Sequence, residues 1–261
     1  MLSKLLKYDL KKNMRWLWIL FVATIVIAGI ARGCKELGNS IAFFKILGII
    51  FESLFYTLAI NCIIQPFLRS FLNFTKSMYG DESYLTHTLP VTKNQLINSK
   101  FLTSLIEMVL AFATIIVALL IEFASPSMFQ MLKLILATTV TGNISLFLVI
   151  TLFILLVIVE FYMFISIILL SVVLAYKSKE KRILKSFGFS ALFAFAFLTA
   201  LSIIMVIVLL INNVNLTSST LILSNTAFIC VLLTGIIVYS LAIILCYFLT
   251  KREFNKGVNV D

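Results

Sequence analysis

Few side chains in this sequence are of a kind that does chemistry, and their positions restrict what that chemistry is. Glu52 and Glu160 lie inside long apolar stretches, Glu107 and Glu122 lie toward the two ends of another, and His87 is the single histidine of 261 residues. An ionisable group inside a membrane span is costly and marks a path or a partner. At 1.5 Å per residue, Glu52 and Glu160 fall ~17 and ~24 Å from the outer ends of their stretches, deep enough to reach the middle of a bilayer. Two readings stand. In one, Glu52 and Glu160, with Asn61 and Gln65, face a polar cleft used by a cationic substrate. In the other they pair between helices: Glu52 with Lys45, seven residues earlier, or a protonated glutamate with a neighbouring helix. Glu107 and Glu122, nearer the span ends, read as solvated at the interface.

Other chemistries lack their residues. One histidine, with no HExxH and no paired carboxylates in any span, does not supply an intramembrane metalloprotease or lipid transferase, and metal or triad chemistry at His87 would need further ligands. His87 reads as an ordinary surface or subunit contact. Cys34, Cys62, Cys230 and Cys246 are far apart, without a CxxC or Cys/His spacing, and read as small apolar filler. No Gly-Lys dipeptide occurs, so the chain has no Walker A loop to cradle phosphate. No catalytic or metal-binding residue is expected on this chain.

The elements that hold these residues follow from composition. The chain is 62% hydrophobic and 12% charged, against roughly 45–50% and about 25% for a soluble domain. Uninterrupted apolar length predicts six spans, at about 16–31, 41–68, 101–124, 144–176, 187–211 and 226–249. The expected fold is an all-α polytopic membrane protein, one transmembrane domain over residues 1–261. The first run resembles a signal peptide in its basic start and apolar middle, but it shows no cleavage site and five further spans follow. The fourth, at about 50 Å as a helix, exceeds a ~30 Å hydrocarbon core and must tilt, break or project. Met128, Met131, Leu132, Ile135 and Leu136 at helical spacing predict an interfacial or re-entrant helix between spans three and four, and 212–220 reads as a short polar loop.

The net charge of +10 would suggest nucleic acid in a soluble chain. Here seventeen of the 21 Lys and Arg fall before span one, between spans two and three, between four and five, and after span six. The positive-inside rule makes those segments cytoplasmic, with both termini inside, in the cell membrane. The excess is an orientation signal, with attraction to anionic headgroups second, and nucleic acid is not an expected partner. Within residues 2–15, Leu2, Leu5, Leu6, Leu10 and Met14 share one half of a helical wheel, continued by Leu17. Lys4, Lys7, Lys11, Lys12 and Arg15 take the other half. This predicts an amphipathic helix lying on the membrane before the chain turns into span one.

One cytoplasmic stretch is more structured than a simple loop needs: Gly80-Asp81-Glu82-Ser83-Tyr84-Leu85-Thr86-His87-Thr88-Leu89-Pro90-Val91-Thr92. Asp81 can cap a short helix with Glu82 in its first turn, and Pro90 ends it at Leu89. Thr92 and Gln95 then form a capping box that starts the helix entering span three. The product is an elbow whose Tyr84, Leu85 and Leu89 need a covering surface.

This string, with Ser99-Lys100 before span three, closely resembles small ABC-2 type permease subunits of Gram-positive bacteria. The resemblance is specific over about 20 residues. It implies that residues 81–90 are a coupling helix, with Asp81, Glu82, Tyr84, Leu85, Leu89 and Pro90 contacting a separate nucleotide-binding subunit that carries ATP and Mg. It also implies a second permease subunit, identical or related, and export of an amphipathic or lipophilic substrate such as an antimicrobial peptide. A channel or secondary transporter without an ATPase is the alternative, but such folds usually show internal repeats and Gly/Pro-broken spans. Here Pro66, Pro90 and Pro126 lie at span ends or in a loop.

Overall fold

A computed structural model describes residues 2–38, 41–80, 82–88, 90–137, 139–140, 144–178, 181–212 and 225–256. These form eight helices: α1 (Leu2–Gly38), α2 (Ala42–Tyr79), α3 (Ser83–Thr88), α4 (Lys93–Glu122), α5 (Pro126–Ala137), α6 (Leu146–Ala175), α7 (Arg182–Ile211) and α8 (Asn225–Asn255). All but α3 and α5 are long and apolar enough to cross a membrane, one for each expected span. A two-residue antiparallel pair, Thr139–Val140 with Ile144–Ser145, leaves the class all-α. The loop expected over 212–220 lies outside the described residues beyond Asn212. The chain divides into two compact units, residues 1–130 and 131–261.

Unit 1 is built on α1, α2 and α4. The helices run past the apolar segments into their charged flanks, so α1 and α2, with 37 and 38 residues, are each about 55 Å long. The turn expected between residues 2–15 and span one does not occur, because α1 is one unbroken helix. Its amphipathic stripe explains this. Met14, Leu17 and Phe21 are buried with Cys62 of α2 and Ala111 of α4, and Leu10 packs beside them. From Leu10 onward this face is therefore covered by protein, Leu2, Leu5 and Leu6 are half-buried, and Lys4, Lys7, Lys11, Lys12 and Arg15 stay exposed.

Contacts along α1 fix the directions of its neighbours. Gly38 lies against Lys45, Ala28 against Phe55 and Thr24 against Cys62, so α1 and α2 are antiparallel. Asp9 meets Lys100, Asn13 meets Glu107 and Lys35 meets Glu122, so α1 and α4 are parallel. A Cβ at Gly38 would stand 2.9 Å from the Lys45 Cα. This close approach lets the hairpin close with only three residues between its helices.

Unit 2 repeats a three-helix arrangement with α6, α7 and α8. Met163, Ile167 and Leu170 of α6 are buried with Tyr239, Ala242 and Cys246 of α8, and Phe193, Phe197 and Leu201 of α7 pack on them. The 30-residue α6 is unbroken and about 45 Å long. Ser186 is the sole fully buried residue of α7, and apart from the side chains packed on α6 and α8 much of its apolar surface is exposed. Lys181 precedes α7 at φ 49°, the left-handed region, where the chain reverses.

Candidate functional site

The elbow is a helix of six residues, Ser83–Thr88. At the start of α4, Thr92 Oγ1 accepts the Gln95 amide, and the Gln95 side chain accepts the Thr92 amide, both at 3.3 Å. The capping box is therefore formed as the sequence predicts and fixes the first turn of α4. On the other side, the Lys12 ammonium of α1 reaches Glu82 at 2.5 Å, although Glu82 is 70 residues away in sequence. Both side chains are partly exposed, so the pair adds no more than about 1 kcal/mol. Its value is positional, since it ties the elbow to the basic face of α1.

Between these two pieces lies an open groove of about 700 Å³, bounded by Lys4, Leu5 and Tyr8 of α1 and by Leu85, Thr88 and Pro90 of the elbow. Tyr84 and Leu85 are each 74% exposed. The short helix thus carries two large apolar side chains in the open beside the groove. Asp81 and Leu89, expected to share that surface, lie outside the described residues, as does the side chain of His87.

Behind the elbow is a buried polar knot. Asp9 takes the Lys100 ammonium at 2.8 Å and the Ser99 hydroxyl at 2.7 Å. Asn13 donates to Glu107 at 2.6 Å and accepts from Asn73 at 2.6 Å, while Arg69 holds the Asn13 carbonyl at 3.2 Å. Glu107 is fully buried, which overturns its expected solvation at the interface: α1 and α2 cover it. Its Oε2, with Ser70 Oγ and Thr103 Oγ1, has no hydrogen-bond partner among the described residues. The knot joins α1, α2 and α4 directly behind the elbow, through hydrogen bonds strengthened by low local dielectric.

A second ionic cluster closes the far end of unit 1. Lys35 lies 2.6 Å from Glu122 and 2.9 Å from Glu52, and the Tyr56 hydroxyl reaches Glu52 at 3.3 Å. The expected partner of Glu52, Lys45, is replaced by Lys35 across the α1–α2 hairpin. This contact also sets Glu52 level with the last turns of α1 and α4, not with their middles, because α2 overshoots both neighbours. Glu122, expected to be solvated, has no exposed side-chain surface and leans on Lys35.

The remaining path candidates are also held locally. Asn61 donates to the Thr57 carbonyl of its own helix at 2.9 Å, and Gln65 accepts from Arg69 at 3.4 Å. Glu160, midway along α6, is hydrogen-bonded by Tyr239 of α8. Glu52 belongs to unit 1 and Glu160 to unit 2, and each has a partner inside its own unit, the arrangement of interhelical pairing. Beyond the apolar run of α8, hydrogen bonds from Lys177 and Lys256 pull the Glu253 carboxyl down to about 2. That link between the ends of α6 and α8 persists at any physiological pH.

Sequence reasoning missed Asp9, Asn13, Arg69 and Asn73. The signal was present for two of them: Asp9 and Asn13 lie four residues apart inside the leucine stripe of α1, where a polar residue must find a buried partner. All four cysteines are free thiols, Cys62 and Cys246 buried and the other two partly exposed. Among the described residues no group of three His, Cys, Asp or Glu side chains is placed to hold a metal ion. In comparisons with known protein families, curated proteins and solved structures, the chain matches none.

Proposed function

We propose that this chain is the membrane-spanning permease subunit of an ATP-driven exporter of the ABC-2 type. The observation that carries the reading is the elbow: a short capped helix, braced to α1 through Lys12 and Glu82, with Tyr84 and Leu85 in the open beside a groove. In this reading a docked partner moves the elbow, and α4 follows it in the chain after four residues. The partner is a separate nucleotide-binding ATPase that supplies ATP and Mg, and the hydrolytic step occurs there. A second permease subunit, identical or related, completes the path, and the basic flanks support a cytoplasmic elbow and cytoplasmic termini. The substrate class is amphipathic or lipophilic, in keeping with an interior poor in charge, and antimicrobial peptide export or immunity is the favoured instance.

Affinity purification of the chain from its native membrane tests the partner. A nucleotide-binding subunit is expected to co-purify with the parent chain and to be lost from Tyr84→Asp and Leu85→Asp, without loss of the folded chain. Recovery with no ATPase overturns the reading, and so does export that is unaffected by both substitutions.

A further inference from the structure

A cleft on the surface of unit 1 has a use independent of the transport reading. It encloses about 300 Å³ between α1 and α2 and is lined by Trp16, Leu17, Ile19, Leu20 and Ala23, with Gln65 and Arg69 at one end. Leu17 forms a buried floor, Trp16 and Ile19 are 65% and 63% exposed, and the small Ala23 leaves the width. We propose that this cleft binds one anionic phospholipid, with its phosphate on Arg69 and an acyl chain along Leu17, Leu20 and Ala23.

Three observations carry the assignment. The first is depth. The apolar run of α1 begins at Trp16 and that of α2 ends at Leu68, and the hydrogen bond from Arg69 to the Asn13 carbonyl brings those two ends level. The cleft therefore starts at the polar boundary of the bilayer and runs into the hydrocarbon, as a lipid does, and Trp16 sits where indole rings favour the interface.

The second is charge. Arg69 is the one charged residue lining the cleft, whose other lining side chains are apolar apart from the neutral Gln65. A guanidinium forks onto phosphate, and a lipid with net negative charge gains from Arg69 what a zwitterionic one does not.

The third is preorganisation. Arg69 Nε and Nη1 are already engaged by Gln65 and Asn13. The guanidinium is thus held in place before any lipid arrives, which reduces the entropy lost on binding.

Trp16 is a built-in reporter. The chain has two tryptophans, so Trp18→Phe leaves Trp16 alone. The test reconstitutes the full chain carrying this change into nanodiscs of phosphatidylcholine doped with brominated phosphatidylglycerol or brominated phosphatidylcholine. Brominated phosphatidylglycerol is expected to half-quench Trp16 at about five-fold lower mole fraction, the effect of one basic side chain near a headgroup. Arg69→Gln brings the ratio to unity and Arg69→Lys retains most of it. Ala23→Phe, which fills the cleft and leaves Arg69 in place, also brings it to unity, and excess inorganic phosphate leaves it unchanged.

The proposal is overturned if the two lipids quench alike in the parent. It is equally overturned if the preference survives Ala23→Phe, since Arg69 would then read the headgroup without the cleft, or if free phosphate abolishes the preference.

Discussion

Replacing Lys35 with methionine is the most exacting test of the ion cluster at the far end of unit 1. Its ammonium serves two carboxylates that differ sharply in environment: the Glu122 side chain has no exposed surface, whereas that of Glu52 is 28% exposed. Glu122 Oε2 already has no partner among the described residues, so Lys35→Met would leave the whole carboxylate buried and uncompensated. Breaking a buried pair from one side costs about 3–5 kcal/mol, and the partial exposure of Lys35 points to the lower figure. Glu52→Gln keeps the Lys35–Glu122 contact and removes only a solvent-screened one, costing less than about 1 kcal/mol. The double change Lys35→Met with Glu122→Leu removes the stranded charge as well and should return to within about 1 kcal/mol of the parent. Thermal unfolding of the purified chain in detergent reads these differences at about 2–4 °C per kcal/mol for a chain of this size. Lys35→Met should therefore lower Tm by about 6–12 °C, and Glu52→Gln by no more than about 4 °C. The reasoning fails if Lys35→Met is no worse than Glu52→Gln, or if the double variant melts as low as Lys35→Met alone.

Thr92→Ala should cost about 1 kcal/mol and speed amide exchange at residues 93–95 while leaving the middle of α4 protected; unchanged exchange at those amides would show that the capping box does not hold the start of α4. Gly235→Ala should stay within about 1 kcal/mol of the parent, because the new methyl would stand 2.7 Å from Leu156 Cδ1 and 3.1 Å from Met205 Cε, and turning these flexible side-chain ends aside offsets the helix gain. Gly33→Ala, with nothing within 4 Å of its Cβ, should stabilise by about 0.5–1 kcal/mol, and thermal melts that rank the two substitutions in the opposite order would refute the packing described around Gly235.

Hydropathy made the six long helices legible, since an apolar run of about 20 residues has one common use. The Thr92–Gln95 box was legible for a different reason: capping is local, and both halves of the motif lie within four residues. Pairing across helices was not. Lys45 is the nearest cation in sequence N-terminal to Glu52, yet Lys35 is its partner, because the hairpin turn and the overshoot of α2 fix which residues lie level. Glu107 and Glu122 looked like interfacial residues because depth along one helix carries no information about what covers its sides. The same limit applied to residues 2–15, where an amphipathic pattern fits a lipid surface and a protein surface equally well. Only Asp9 and Asn13, polar residues set within the leucine face, distinguished the two.

The continuity of α1 has a mechanical consequence. The helix is pinned to the elbow by Lys12, to the buried knot by Asp9 and Asn13, and to Glu52 and Glu122 by Lys35. A rod fastened near both ends cannot be tilted at one without carrying the other. Lys12 and Lys35 lie 23 residues apart on this one helix, about 35 Å, so a displacement of α1 at its elbow end reaches the far cluster. The elbow and the far ion cluster are in this sense two handles of a single lever, and either one is a place from which unit 1 can be turned as a body.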